Sequence, residues 1–225
     1  YAKSVTLGKT HWSDTNRVML RNRRIGCSVS GVAQFITNRG LGELKNWLND
    51  GYDVIQEWDK MYSDWFAVPK SIKTTSVKPS GTVSLLAGAT PGLHYPESRF
   101  YIRRIRLSKH SELLEPLEKA GYKIEPAFGS EDTTMVVEVP VDVGEGIRTA
   151  AELSIWEQFS LAAFLQRHWA DNQVSCTVTF NPETEAEQIA PALNYYQYHL
   201  KGISLLPRHD YGAYQQMPYE AIDEK

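Results

Sequence analysis

Residues 72–88 read IKTTSVKPSGTVSLLAG, a β-branched run followed at once by a proline and glycine turn and a short apolar segment. β-Branched residues favour a strand, Pro79 and Gly81 favour a loop, and the apolar residues after them favour a short helix. A strand joined through a short loop to a helix is the repeating unit of α/β folds. Because ligands in such folds gather where strands end and helices begin, this loop is also a candidate binding site.

Strands of similar character recur along the chain, with apolar residues in alternation or in a short run. The predicted strands cover residues 24–30, 72–78, 101–107, 133–141, 174–180 and 201–206. Helical segments separate most of them. This order predicts a mainly parallel sheet with crossover helices.

Two long helices are predicted from apolar residues at steps of three and four. The first begins at Val32 and ends before Pro69, and the second begins near Leu153. Tryptophans fall mostly at apolar positions of these patterns and are predicted to lie in the core: Trp12, Trp47, Trp58, Trp65, Trp156 and Trp169.

Two further helical segments are predicted with less regular patterns. One runs from Ser111 to Gly121, with the Ser111 hydroxyl as its N-cap. The other covers residues 182–198 and is expected to be disturbed near Pro191, because proline lacks the amide that a helix interior needs.

Length and composition restrict the class of protein. With 225 residues, 42% of them hydrophobic, the chain can form one large domain or two small ones around a substantial core. A net charge of -3 argues against a nucleic-acid or membrane-surface partner, and no apolar run reaches the roughly 20 residues of a membrane span.

Two cysteines and no secretory signal predict a reducing, cytoplasmic location. The sequence opens at Tyr1 in mid-pattern, so we expect a longer parent chain.

Two interpretations of the loop at residues 78–84 are open. In the first, a helix N-terminus offers free amides to a phosphate, Gly81 allows close approach and Lys78 adds charge. The hydroxyl donors would be those of Ser80, Thr82 and Ser84. In the second, Ser80 caps an ordinary helix and Gly81 relieves a turn. Residue types alone favour the second, since the sequence has neither a GKS or GKT Walker loop nor a GxGxxG fingerprint.

Four stretches, taken in their order and spacing, resemble the C-terminal half of the catalytic barrel of ribonucleotide reductases. They are RNRRIGCSVSG (residues 21–31), KPSGTVSLLAGATPGLHYPESRFYIRRIR (78–106), WADNQVSCTVTF (169–180) and YYQYHLKGISLLPRHDYGAYQQMPYEAI (195–222). The resemblance is closest to the adenosylcobalamin-dependent (class II) branch, especially the monomeric ribonucleoside-triphosphate reductases. It runs from about Tyr1 to Ile222.

The resemblance implies an α/β fold in which residues 1–225 form a single domain, the second half of a ten-stranded barrel in a larger catalytic subunit. Predicted strands that would form this half lie at residues 24–30, 72–78, 101–107, 174–180 and 201–206. The resemblance also implies a loop that holds substrate phosphates at a helix N-terminus. This loop falls on Pro79, Ser80, Gly81, Thr82 and Val83. Other branches carry a second hydroxyl at the position of Val83, so here that contact would come from the backbone amide.

The implied reaction replaces the 2′-hydroxyl of a ribonucleoside triphosphate with hydrogen. The implied cofactor is adenosylcobalamin, whose contacts in this chain stay unassigned, and it generates a thiyl radical on a cysteine. The implied partners are the ribonucleotide, an N-terminal half of the reductase in the same or a separate chain, and a thioredoxin-type dithiol. Neither a nucleic acid nor a membrane is an expected partner.

No catalytic residue is predicted in this chain. The family places its radical cysteine two residues before a catalytic glutamate, whereas here Val29 follows Cys27 and Val178 follows Cys176 at that spacing. Both cysteines fall on the apolar phase of a predicted strand, which favours a structural role. The chain would then supply the phosphate loop and require its other half. An alternative is a non-catalytic nucleotide- or phosphate-binding module derived from the same fold.

Structural roles are favoured over functional ones for other polar and aromatic groups. Ion pairs or a solvated strand edge are favoured over an anion site for Arg103, Arg104 and Arg106. Packing is favoured over radical transfer for Tyr195 and Tyr196. The six histidines show no HxxxH or HExxH spacing, so no metal site is predicted.

Overall fold

The structure is a computed structural model that describes residues 1–81, 83–208 and 215–223. It contains two units, one formed by Tyr1–Tyr95 with Leu153–Pro207 and the other by Pro96–Glu152 with Arg208–Lys225. Each unit is thus assembled from two separate segments of the chain. The single domain predicted for residues 1–225, as part of a larger catalytic subunit, stays a prediction.

Helices and strands alternate along the chain. In order they are α1 (Ala2–Val5), α2 (Ser13–Asn22), β1 (Cys27–Ser28), α3 (Val32–Phe66), β2 (Thr75–Ser76), α4 (Val83–Leu86), β3 (Phe100–Ser108), α5 (Leu114–Lys119), β4 (Lys123–Pro126), β5 (Thr134–Asp142), α6 (Ile155–His168), β6 (Thr177–Phe180), α7 (Pro182–Glu185), α8 (Ile189–Tyr196), β7 (Ser204–Pro207) and β8 (Tyr219–Ala221). Short 3-10 helices lie at Ala150–Glu152 and Ala186–Gln188.

The strands of the first unit are parallel. β1 pairs with β2 and β6 pairs with β7, both in parallel register. An isolated parallel bridge between Val77 and Val174 links the chain just after β2 to the chain just before β6. α3 connects β1 to β2, and α8 lies between β6 and β7. This arrangement confirms the predicted parallel strands with crossover helices.

The long predicted helix is present as α3. It begins after Gly31, whose φ of 75° is left-handed, and ends at Phe66, with Ala67 (φ 52°) as its C-cap two residues before Pro69. Gly40, at φ 83° and ψ 164°, interrupts the helix with a kink. The buried face of α3 includes Leu44 and Leu48. Their separation of four residues agrees with the spacing that predicts this helix.

The core of the first unit lies between α6 and the parallel strands. Ile155, Phe159 and Leu165 of α6 are fully buried and belong to one apolar cluster with Val77 and Val178. Burying each such side chain stabilises the fold by about 1.5–3 kcal/mol. α6 begins with a capping box: the Ser154 hydroxyl accepts from the Glu157 amide while the Glu157 carboxylate accepts from the Ser154 amide.

The second unit is built on an antiparallel sheet of order β4-β5-β3-β8. β3 and β5 pair over nine positions, from Phe100 opposite Asp142 to Ser108 opposite Thr134. The strand predicted at residues 101–107 therefore exists, but its placement among the parallel barrel strands is wrong. Apolar alternation shows that a segment is a strand and does not identify its partner.

Three smaller expectations are also corrected. Ser111 is not the N-cap of α5, because that helix starts at Leu114 after Leu113. The disturbance expected near Pro191 lies earlier, at the 3-10 turn Ala186–Gln188, since proline fits the first turn of α8. Four of the tryptophans predicted to be core are 47–69% exposed: Trp12, Trp47, Trp58 and Trp65.

Candidate functional site

The candidate phosphate loop directly follows β2 and leads into α4. Pro79 is exposed, Ser80 and Gly81 are half-buried, and Val83 is 69% exposed. Thr82 lies outside the described residues. The loop is therefore open to solvent at the carboxyl end of a parallel strand, where α/β folds bind ligands.

The helical turn after the loop is closed by the backbone of Ser80. Its carbonyl accepts from the Ser84 amide at 3.2 Å and also from the Ser84 hydroxyl. Ser80 itself has a left-handed φ of 47°, which is uncommon for a residue with a side chain. The Ser84 hydroxyl is thus engaged inside the loop and is not a free donor for a phosphate, contrary to the expectation for that residue.

The backbone of Gly92 lies close to that of Lys78, at the start of the loop. A β-carbon at Gly92 would stand 2.3 Å from the carbonyl oxygen of Lys78 and 3.6 Å from the α-carbon of Pro79. The Lys78 amide donates to the Ser28 hydroxyl at 3.0 Å, and the Gly92 amide donates to the Ser30 hydroxyl at 3.4 Å. Ser28, the last residue of β1, and Ser30, just after it, therefore bind the two chain segments that meet at Lys78 and Gly92.

The first turn of α3 supplies a second attachment. The Gly31 amide donates to the Thr90 carbonyl at 2.8 Å, and the Val32 amide donates to the Gly92 carbonyl at 3.3 Å. Gln34 binds with both ends of its amide: Nε2 donates to the Gly88 carbonyl at 2.9 Å, and Oε1 accepts from the Thr90 amide at 2.8 Å. Residues 88–92 are thereby fixed to α3, and through Gly92 so is the loop.

His94 connects the end of this segment to β6. Its Nε2 accepts from the Thr177 amide at 3.2 Å, so its Nδ1 carries the proton and donates to the Pro91 carbonyl at 3.2 Å. Burial lowers the pKa of His94, and this outweighs the hydrogen bond to Pro91, which acts in the opposite direction. The histidine is therefore neutral at pH 7 and serves as a connector.

Electrostatic attraction at the loop comes from few groups. Lys78 is exposed and is the single charged residue between Lys73 and His94. That the loop holds a phosphate through its backbone amides, with Lys78 as the nearby cation, stays a prediction.

The sequence did not reveal the residues that fix the loop. Ser28, Ser30, Gln34 and Gly92 carry no motif, and the first three precede the loop by some fifty residues. A glycine at residue 92 directly after a proline was the one available signal, because glycine marks positions of close backbone approach. His94 was noted only for its lack of metal-site spacing.

The two cysteines are free and lie in apolar surroundings. Cys176 is buried, and burial raises its pKa to about 12. Cys27 is half-buried, and burial is the largest cause of its raised pKa. Both thiols are therefore protonated at pH 7, which suits the structural role predicted for them and not a reactive thiolate.

The three arginines on β3 bind the chain's own C-terminal segment. Arg104 forms ion pairs with Glu138 at 2.9 Å and Glu220 at 2.5 Å. The guanidinium of Arg103 lies 4.4 Å from the ring centre of Tyr219, and that of Arg106 donates to the Gln216 carbonyl. Of the two favoured interpretations, ion pairs or a solvated strand edge, ion pairing is confirmed for Arg104.

Tyr195 and Tyr196 differ in their surroundings. Tyr196 is buried against Phe159, with ring centres 5.5 Å apart, whereas Tyr195 is 65% exposed. Packing is confirmed for Tyr196. Tyr195 also packs on other rings, with centres 6.2 Å from Trp156 and 4.8 Å from Tyr196, but most of its side chain stays exposed.

Neither a metal cluster nor a membrane helix is found in the described part of the chain. No three histidine, cysteine, aspartate or glutamate side chains there are grouped to hold a metal ion. Among the same residues, none of the helices has the length and apolar character needed to cross a bilayer.

Comparison with known proteins identifies close relatives over the whole chain. An adenosylcobalamin-dependent ribonucleoside-triphosphate reductase of Euglena gracilis is 61% identical over 225 residues, which is 100% of this chain and 31% of that protein. A probable enzyme of the same name from Dictyostelium discoideum is also 61% identical, with 30% of its length covered. An adenosylcobalamin-dependent ribonucleoside-triphosphate reductase of Levilactobacillus brevis is 37% identical over 99% of the chain. No family model matches the chain.

A solved structure supports the same relationship. A crystal structure of a B12-dependent (class II) ribonucleotide reductase matches with a TM-score of 0.83 at 35% identity, covering 99% of this chain and 35% of the other. The expected α/β fold, a part of that reductase barrel, is confirmed. The chain spans about a third of the length of the curated relatives it matches.

Proposed function

We propose that this chain, which is homologous over its whole length to a segment of adenosylcobalamin-dependent ribonucleoside-triphosphate reductases, provides the substrate-phosphate site of such an enzyme. The reaction would convert ribonucleoside triphosphates to the 2′-deoxyribonucleotides that DNA replication requires. The observation that carries the proposal is 61% identity over all 225 residues with a reductase of that name. A non-catalytic binding module derived from the fold gains no comparable support.

The phosphates would bind at Pro79, Ser80, Gly81, Thr82 and Val83. Geometry supports this assignment because the loop is exposed at the carboxyl end of β2 and is fixed from behind by Gly92 and Gln34. A rigid loop of backbone amides binds a phosphate without first having to become ordered. Lys78 would add a positive charge at the entrance.

The radical chemistry would require residues outside this chain. Both thiols present are protonated and buried or half-buried, and neither precedes a glutamate at the family's spacing. The proposed partners are therefore an N-terminal half of the reductase, in the same or a separate polypeptide, and a thioredoxin-type dithiol as reductant. Free thiols and dithiol reduction suit a reducing cytoplasm.

Adenosylcobalamin would supply the radical when it is bound in the complete enzyme. The described residues do not form a recognisable site for it. Among the described residues, buried polar side-chain atoms without a partner occur on Ser76, Thr90 and Thr179 of the first unit and on Arg103 of the second. We therefore assign no residue of this chain to the cofactor and derive no step through it.

Gly81→Glu tests the phosphate site. The new carboxylate adds bulk and negative charge where a phosphate would lie, so binding of a ribonucleoside triphosphate to this loop should be lost. Isothermal titration of the full chain with ATP measures the effect. Gly42→Glu is the control, because Gly42 is exposed on α3 and no other atom lies within 4 Å of its β-position. Unchanged stoichiometry and affinity in Gly81→Glu would remove the assignment.

A further inference from the structure

A groove separate from the phosphate loop lies between α6 and the end of α8 with the chain that follows it. Its volume is about 620 Å³, within the usual range for small-molecule sites. We call it the α6–α8 groove and define it by Phe164, Arg167, His168, Tyr195, His199 and Lys201. All of these residues belong to the first unit.

The groove is at the opposite end of the parallel strands from the phosphate loop. His168 ends α6, ahead of β6, and Lys201 precedes β7, so both lie on the side where these strands begin. The phosphate loop instead follows the carboxyl end of β2. Because these strands are parallel, the groove and the phosphate loop lie at opposite ends of the strands.

Cations line the groove without acidic residues among them. Arg167 is exposed, and in the described part of the chain neither Arg167 nor Lys201 forms an ion pair. The Lys201 ammonium group donates to the Asp171 backbone carbonyl. Burial lowers the pKa of His168, and the neighbouring charges of Lys45 and Arg167 lower it further. The lining residues therefore carry positive charge and no acidic group, with the Asp171 carboxylate acting on Lys201 from outside the lining. An anionic ligand would compensate this positive charge.

Aromatic rings line the same groove. Tyr195 is 65% exposed and its ring lies nearly parallel to that of His199, with centres 6.3 Å apart and an angle of 27°. Beneath it, Tyr196 is buried and contacts both Trp156 and Phe159. A ring exposed above a fixed aromatic base is a platform on which a planar heterocycle can stack.

We propose that the α6–α8 groove binds a nucleotide, with its base stacked on Tyr195 and its phosphates held by Arg167 and Lys201. Rings and cations that line one groove match the two halves of a nucleotide, whereas an inorganic anion would use only the cations. The inference does not rest on the proposed function of the phosphate loop.

The experiment uses the full chain with Gly81→Glu as background, so that the loop does not contribute to binding. ATP, adenosine and tripolyphosphate are titrated separately. Arg167→Ala should weaken ATP binding about tenfold, as expected for loss of a hydrogen bond to a charged group. Tyr195→Ala should lower the affinity for ATP and leave the affinity for tripolyphosphate unchanged. Tyr195→Phe should retain the affinity for ATP. Lys60→Ala is the control, since Lys60 is an exposed cation on α3 away from the groove.

Three results would overturn the inference. The first is a Gly81→Glu chain that binds no ATP, or binds it with an affinity that Arg167→Ala does not change. The second is equal affinity for ATP and tripolyphosphate, which would exclude the stacked base. The third is binding of single-stranded oligonucleotide without binding of ATP. Failure of the phosphate loop has a different signature: Gly81→Glu then leaves ATP binding as it is in the unaltered chain.

Discussion

The backbone of Gly92 passes so close to Lys78 that a β-carbon at residue 92 would stand 2.3 Å from the Lys78 carbonyl oxygen. This contact fixes the chain immediately before the candidate phosphate loop. Gly92 also has a left-handed φ of 53°, and both properties require glycine.

Gly92→Ala should displace residues 78 and 79 and weaken ATP binding to the loop at least tenfold. Destabilisation of about 2–4 kcal/mol is expected, because a backbone carbonyl must shift. Gly88→Ala is the matched control: Gly88 has a φ of 64° but open space around its β-position. Gly88→Ala should lower the free energy of unfolding by only roughly 1 kcal/mol, the strain of a left-handed backbone at a residue with a side chain. Equal effects of the two changes, measured by urea unfolding and calorimetry, would show that the close approach is unimportant.

Gln34→Ala removes the bridge between α3 and residues 88–90. The Thr90 amide and the Gly88 carbonyl each lose a partner, at a cost of about 1–2 kcal/mol in the free energy of unfolding. Faster hydrogen exchange is expected at the Thr90 amide, together with weaker ATP binding. Gln34→Glu keeps the acceptor for Thr90 and should restore protection of that amide alone. Unchanged exchange in Gln34→Ala would contradict the attachment.

Asp59 should make stability depend on acid pH. Burial alone would raise its pKa, but hydrogen bonds from Ser71 and Lys3 outweigh burial and lower it below the ordinary value. A carboxyl group whose pKa is lower in the folded state stabilises the protein above its unfolded pKa of about 3.9 and loses that contribution as pH falls through the lowered value. Urea unfolding from pH 6 to pH 2 measures this loss.

Asp59→Asn is the corresponding test of the ion pair. Lys3 and Asp59 are both buried, with 2.9 Å between nitrogen and oxygen. Leaving the Lys3 ammonium group buried without its partner should cost about 3–5 kcal/mol. The acid-dependent loss should also become smaller. An identical pH profile in the variant would assign that loss to other carboxyl groups.

Cys176 should resist alkylation in the native protein. Its thiol is buried with a pKa raised to about 12, so almost no thiolate exists at pH 8. Iodoacetamide followed by peptide mass spectrometry should modify Cys176 only after denaturation, and Cys27, which is half-buried, at an intermediate rate. Rapid native modification of Cys176 would rule out its structural role.

Arg104→Ala should release the C-terminal strand. Arg104 joins Glu138 on β5 to Glu220 on β8 and also donates to the Met217 carbonyl. We expect about 2 kcal/mol of destabilisation and faster exchange of the amides in β8. Arg106→Ala is the comparison, since Arg106 is bound to this segment by one exposed hydrogen bond. It should change exchange there far less, and a reversed order would show that Arg106 is the main attachment.

Much of the parallel unit could be predicted from sequence because its signals are local. The spacing of Leu44 and Leu48 predicts α3, and Gly31 and Pro69 mark its limits. The phosphate loop was found by resemblance, since its residue types alone favoured an ordinary turn. Its supports at Ser28 and Gln34 are distant in sequence, and hydrogen bonds of this kind leave no periodic pattern.

The antiparallel unit shows where local signals are insufficient. β3 has the alternation of a barrel strand, but its partners are β5 and a strand near the end of the chain. The exposed Trp58 and Trp65 have the spacing of core residues on α3. Periodicity identifies a helix face and does not tell which protein surface, if any, covers it.

Pairing of Arg103 with Tyr219 across β3 and β8 also has a consequence for biosynthesis. During translation, β3 and β5 emerge before β8 and can pair with each other. The edge of β3 that faces β8 stays unpaired until the segment Leu153–Pro207 and then β8 have been synthesised. That edge is open for association with other chains throughout this interval. A nascent chain arrested before Pro218 should therefore bind chaperones more strongly than one that has released Ala221.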